Sequence, residues 1–299
     1  MTKTAIAAVL AMLLSACGSG PAGGSKEEIV LCGGNEVFIM DLAHPTGPEK
    51  VWSWKAVDRP ELPEALQKKF GTTDDCKPVN GGREILISSS GGAVAWVERA
   101  TGRVRFYASA LNAHSLELLP GNRIAVASSY AEKGNKLLLF DGGVSEKLLA
   151  SDDLFGAHGV VWDRDRARLW ALGEKELRAY EIIGLETEAP ELLMRQKVDL
   201  PDPGGHDLRP VPGSGLLVVT AHRHVWLFDR DRASFQPHPM LGDQVDVKSV
   251  DIDPASGRTI YTQAEEKWWT DRVRFLDPVL GIHLPGLRLY KARWATPTP

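Results

Sequence analysis

Five short segments of the chain carry a cationic or imidazole side chain at the same point of one pattern. NAHSLELL, GAHGVVWD, GGHDLRPV, DVKSVDID and DCKPVNGG place His114, His158, His206, Lys248 and Lys77 third, and Leu116, Val160, Leu208, Val250 and Val79 fifth. Three neutral imidazoles brought to one point could hold Zn²⁺ or Mn²⁺ with positions left open. Glu117, Gln263 or Glu265 would complete such a shell. Two ammonium groups at the same point oppose a dication and welcome a carboxylate or phosphate instead. Lys77, Lys248 and protonated histidines would then form an anion pocket without metal. The plainest reading makes all five polar caps of strands, satisfied by backbone or water. QAEEKWWTD (263–271) adds Trp268 and Trp269 side by side, followed by Asp271. Adjacent indoles in a polar loop suit a wall on which a sugar or planar ligand stacks. Ala157 and Gly159, flanking His158, are expected to leave room around its ring. His44, His238 and His283 share no register and read as surface or loop residues.

The elements that would position these residues form a repeat. Apolar, any, apolar or aromatic, apolar, acid recurs as EVFIMD, AVAWVE, KLLLFD, ELRAYE, HVWLFD and RVRFLD, ending at Asp41, Glu98, Asp141, Glu181, Asp229 and Asp277. The intervals are 57, 43, 40, 48 and 48 residues. A second β-rich run precedes each, with Gly, Asn, Glu and Lys between them in the manner of a hairpin. Further strands flank the pair, so each unit has four strands in roughly 45 residues, the period of a propeller blade. The fold class is therefore all-β: a six-bladed β-propeller of four-stranded antiparallel blades. In such a ring the inner strands line an axial channel, and the five aligned residues meet at its mouth. The loops around that mouth include Ser88–Ser90, Ser128–Tyr130, His222 and His224. The first unit lacks its innermost strand, and GLRLYKARW (286–294) is a candidate to close the ring by pairing with the opposite end of the chain. PELPEALQKKF (60–70) reads as a helical insertion in the longest interval.

Residues 1–17 read as a lipoprotein signal peptide. Lys3 provides the charge, AIAAVLAMLL (5–14) the apolar core, and Leu14-Ser15-Ala16-Cys17 resembles a bacterial lipobox. The resemblance implies lipidation at Cys17, and Gly18 after it points to the outer membrane. Residues 18–26 are a flexible tether, and residues 27–295 a single propeller domain. A net charge of −4 with interspersed signs excludes nucleic acid as the partner. A monomer bound to the membrane through its lipid alone is expected. Cys32 and Cys76 are left as a disulfide pair or as two buried thiols.

Several motifs look chemical and are assigned to structure. DRDRARLW, DRDRASF and DIDPASGR lack the spacing and terminal glutamate of a calcium loop, and their Asp, Ser and Gly suit tight turns. The six recurring acids are expected to bond turn amides.

The axial histidines and the architecture are similar to those of propeller lyases acting on uronate oligosaccharides, which implies metal-assisted lyase or hydrolase chemistry as one reading. NAHSLELLPGNRIAVASS, GAHGVVWD, WALG, GGHDLRPV and EEKWWTDRVRF together resemble an uncharacterised family of bacterial β-propeller lipoproteins, over residues 27–294. That resemblance implies the fold, an envelope location and a glycan ligand, and brings no established activity. A protein-interaction scaffold is the third reading.

Overall fold

The computed structural model describes residues 27–296. Residues 1–26, where a signal peptide, a tether and lipidation at Cys17 are expected, lie outside the described residues. Six four-stranded antiparallel sheets form the six blades expected from the repeat. Blades 2 to 6 are continuous in sequence, at 73–109, 113–153, 159–199, 207–237 and 247–283. Blade 1 is composite: three strands come from 28–54, and the innermost is Lys291–Trp294. The closing strand pairs Val30 with Arg293, Leu31 with Ala292 and Cys32 with Lys291. The missing first strand is thus supplied by the C-terminal segment, which pairs the otherwise open edge of Glu28–Gly33.

Blades pack face to face, and a separate apolar cluster fills each of the six seams. Between blades 1 and 2, Val30, Cys32 and Ile39 meet Cys76, Ile85 and Ile87. Between blades 6 and 1, Ile260 and Phe275 meet Ile29 and Trp294. Both faces of each sheet are therefore buried, which explains the near-continuous apolar runs of the second and third strands. The insertion is a short helix, Glu64–Gln67, continued by a 3-10 turn, Lys68–Phe70. It seats Leu62, Leu66 and Phe70 in the first seam, with the Phe70 ring edge-on to Trp54 at 5.4 Å.

The recurring acids behave as turn acceptors at Asp41, Asp141 and Asp229, which take backbone N–H bonds from Ala43, Gly143 and Asp231. Asp163 and Asp253 do the same in two of the calcium-like segments. Cys32 and Cys76 are free, buried thiols on opposite sides of the first seam. Among the described residues no helix is long and apolar enough to cross a membrane.

Candidate functional site: the axial mouth

Each inner strand pairs with the second strand of its blade, and that pairing defines equivalent positions. Lys291, Asp75, Ser115, Gly159, Asp207 and Ser249 lie opposite Cys32, Ser88, Ala127, Leu172, Thr220 and Thr262. The residues just before them form the ring at the mouth: Tyr290, Asp74, His114, His158, His206 and Lys248. In blades 2, 3 and 6 a register shift leaves Asp74, His114 and Lys248 bulged between ladder partners. A bulge sets two neighbouring residues on one side of the strand. That is how both members of Asp74-Asp75 and His114-Ser115 turn away from the apolar seam.

The register assumed for blade 2 is therefore corrected by three residues. Asp74, not Lys77, is the counterpart of the histidines. Lys77 lies deeper, fully buried, with its ammonium on Glu117 at 3.0 Å and on the Val160 carbonyl at 2.6 Å. An apolar residue follows both candidates two positions on, Cys76 or Val79, so alternation alone did not separate them. Hairpin length does. Nine to eleven residues separate His114, His158, His206 and Lys248 from the next strand, against ten from Asp74 and seven from Lys77.

The three histidines do come together. Ring centroids are 4.2 Å apart for His114 and His158, and 5.3 Å for His158 and His206. His222, from the loop after the second strand of blade 5, adds a fourth ring 4.7 Å from His206. Its imidazole lies so close to the backbone of Gly204, which has φ +88°, that a β-carbon there would overlap the ring. The tautomers are fixed by backbone acceptors. His114 Nδ1–H donates to the Asn112 carbonyl at 3.0 Å and His158 Nδ1–H to the Gly156 carbonyl at 2.8 Å. Both rings thus keep Nε2 as a lone pair. His206 is the reverse case: its Nε2 accepts from Lys248 Nζ at 3.0 Å and lies 3.2 Å from His222 Nδ1. Its Nδ1 must then carry the proton, and that buried nitrogen has no partner among the described residues.

These residues line a cavity of about 460 Å³, within the usual range for a small-molecule site. One part of its wall is aromatic: Trp268, Trp269, Tyr290 and Tyr130. The other is polar, with Asp74, Ser90, Asn112, Glu174 and the four imidazoles. Trp268 is 54% exposed, while Trp269 sits edge-on to Tyr290 at 5.8 Å. Tyr130 donates its hydroxyl to Glu174.

The electrostatics are close to neutral. Burial lowers the His114 pKa to about 4, helped by the ammonium groups of Lys291 and Lys248. Burial also holds His158 well below the ordinary range, with His114 next to it, and His206, with Lys248 next to it. Desolvation pushes the Asp74 carboxyl up to about 7, against the Ser90 N–H bond that favours its charged form. Lys248 is lowered by burial; it reaches Asp246 at 3.5 Å and lies 5.4 Å from the Trp268 ring centroid.

A buried ion-pair network floors the cavity. Arg293 contacts Asp75 at 2.9 Å and Asp207 at 2.7 Å, and Lys291 contacts Asp207 at 3.0 Å. All four are essentially fully buried. Arg293 and Lys291 hold the Asp75 carboxyl far down and the Asp207 carboxyl at about 2. Both cations belong to the closing strand, so the seal of the ring and the floor of the site are one structure.

Other expected contributors lie elsewhere. Asp271 accepts from His283 at 2.9 Å, away from the cavity wall. Glu117 is spent on Lys77, Glu265 on Thr270 and Arg274, and Gln263 on the Val245 carbonyl. His224 faces Asp202, and His44 faces Glu49. His238 is buried rather than superficial, its Nδ1 accepting the Leu241 N–H at 3.1 Å. Ala157 and Gly159 do not open the mouth: Ala157 is seam core, and a β-carbon on Gly159 would stand 2.7 Å from Leu208 Cβ. Asp74, Tyr290, Asn112, Glu174 and the floor residues were missed by the sequence reading. For the metal reading, no group of three His, Cys, Asp or Glu among the described residues is arranged to hold an ion. His206 Nε2 is already committed to an ammonium.

Residues 35–298 match a family model described as a family of unknown function, DUF6528. No curated protein matches the chain.

Proposed function

The chain belongs to the DUF6528 family of unknown function, and we propose that it binds a small saccharide in the axial cavity. One observation carries this reading: indole and phenol rings share a 460 Å³ cavity with the imidazoles of His114, His158 and His206, which burial holds neutral, and a buried carboxyl group. Sugars present apolar C–H faces that stack on aromatic rings and hydroxyls that need both donors and acceptors. Stacking falls to Trp268 and Trp269. His114 and His158 offer Nε2 acceptors, and Asn112 and Asp74 complete the polar set. A free anion is less well served, since Lys77 is buried beneath and Lys248 is committed to His206 and Asp246.

We further propose that Cys17 carries a lipid and tethers the propeller to the bacterial envelope, on the strength of the lipobox-like Leu14-Ser15-Ala16-Cys17. Calorimetry against a panel of neutral sugars and uronates tests the first proposal. Binding by the wild type, weakened about 3- to 10-fold in Trp269→Ala as expected for one aromatic contact, supports it. No binding across the panel overturns it. Cys17→Ser should release the protein from membranes, and unchanged membrane association would contradict the anchor.

A further inference from the structure

The Asp74 carboxyl and the His114 ring approach one another across the cavity without bonding. Asp74 Oδ1 and His114 Nε2 are 3.9 Å apart, too far for a hydrogen bond and the spacing across which a third group bridges. Asp74 Oδ2 is already held by the Ser90 N–H, and His114 Nδ1–H by the Asn112 carbonyl. Oδ1 and Nε2 are therefore the free ends of two side chains that both line the cavity.

We propose that Asp74 and His114 form a hydroxyl-bridging subsite for an uncharged sugar or polyol: one ligand hydroxyl accepts a hydrogen bond from the Asp74 carboxylic acid and donates one to His114 Nε2. The inference rests on the saccharide reading and names its ligand class. A hydroxyl is the group that satisfies both ends, being one donor and an acceptor at a single atom. A uronate carboxylate has no proton to give His114 and places a second acceptor against its lone pair. Neutral sugars are thus preferred over their uronic acids at this subsite.

The surroundings of Asp74 keep its acid form accessible near neutrality. Asp75 on the same strand and the Tyr290 ring from the closing strand add no positive charge. Lys291, whose ammonium favours the charged form, is engaged by Asp207 at 3.0 Å and Asp75 at 3.7 Å. Ser90 supplies a backbone N–H from the turn above, and His114, backed by His158, faces from blade 3. Desolvation outweighs these neighbours, and the carboxyl ionises at about 7. Above that pH both ends of the bridge are acceptors, and a hydroxyl can donate to only one of them.

The test is calorimetry at pH 6, 7.5 and 9 with glucose, galactose, mannose, xylose, cellobiose, glucuronate and galacturonate. For the neutral sugars that bind at pH 6, affinity should fall about 100-fold by pH 9, following the protonated fraction of Asp74. Asp74→Asn, whose amide donates at every pH while its oxygen still takes the Ser90 N–H, should bind as well at pH 6 and stay flat to pH 9. Asp74→Ala should bind weakly throughout, with circular dichroism confirming the folded propeller. A flat wild-type profile, an unchanged decline in Asp74→Asn, or tighter binding of uronates than of neutral sugars overturns the subsite and leaves the saccharide reading standing. Failure of every sugar to bind at pH 6 overturns that reading and the subsite with it.

Discussion

Lys248 Nζ donates to His206 Nε2 across 3.0 Å, and this one bond sets the character of the histidine cluster. An ammonium beside an imidazole disfavours a second positive charge there, whether a proton or a metal ion. It also fixes the tautomer, leaving His206 Nδ1–H as a buried donor in a residue that lines the cavity. His114 and His158 differ because backbone carbonyls hold their Nδ1–H groups and leave Nε2 free.

Replacing Lys248 by Met should therefore raise the His206 pKa. Burial is the larger cause of its depression and remains, so the ring should still titrate below an ordinary histidine. Ring ¹⁵N shifts followed against pH report this directly. An unchanged midpoint for His206 in the variant would remove Lys248 as a cause.

Stability should rise with pH between about 4 and 6.5. The unfolded chain takes up protons on its histidines near 6.5, whereas folded His114 does so only at about 4, and burial holds His158 and His206 well below the ordinary range too. The unfolded state binds more protons across that window, so acid favours unfolding; His114 alone accounts for about 3 kcal/mol. Asp74 has the opposite sign, because its folded pKa of about 7 exceeds the ordinary aspartate value of 3.8. Above pH 7 its buried charge costs about 4 kcal/mol. Urea midpoints should climb from pH 4.5 to 6.5, and Asp74→Asn should exceed the wild type above pH 7 while matching it below pH 4. Equal stability of the two at pH 8 would show that Asp74 ionises normally.

Much of the ring was readable from sequence because each blade repeats the same apolar alternation, buried on both faces in six similar seams. The mouth was less legible. His114, His158 and His206 stood out through residue type and common spacing. Asp74 did not, because the bulge that brings it to the mouth breaks the period-two pattern on which the alignment relied. The floor was hidden for another reason. Asp75 and Asp207 meet Arg293 only once the last strand joins the first blade, a contact across 218 residues for Asp75. No local pattern encodes such a pairing.

Cys32 and Cys76 should be unreactive in the native protein. Cys32 Sγ faces the Lys291 carbonyl at 3.6 Å and Cys76 Sγ the Val30 carbonyl at 3.7 Å, both in the first seam. Burial pushes the Cys76 thiol up, which suppresses the reactive thiolate. In a Cys17→Ser chain kept reduced, a thiol reagent should label neither residue in buffer and both in urea. Rapid labelling of the folded protein would contradict the closed seam.

Arg293 should be the most costly single charge to remove. Its guanidinium spans Asp75 and Asp207 on opposite sides of the channel, and all three are buried. Arg293→Met leaves the two carboxylates with Lys291 as their ion-pair partner, and breaking a buried pair of this kind costs about 3–5 kcal/mol. The loss should be smaller in acid, where protonation of the carboxylates relieves their repulsion, because pKa values held down by Arg293 contribute stability only above the unfolded carboxylate range. It should also be partly recovered by adding Asp75→Asn, which a double-mutant cycle in urea would measure as coupling between the two sites. Because Arg293 lies on the closing strand, hydrogen exchange should accelerate first at the Val30–Arg293 and Cys32–Lys291 pairs. Strictly additive energies in the cycle would mean that the ammonium of Lys291, not Arg293, holds the floor together.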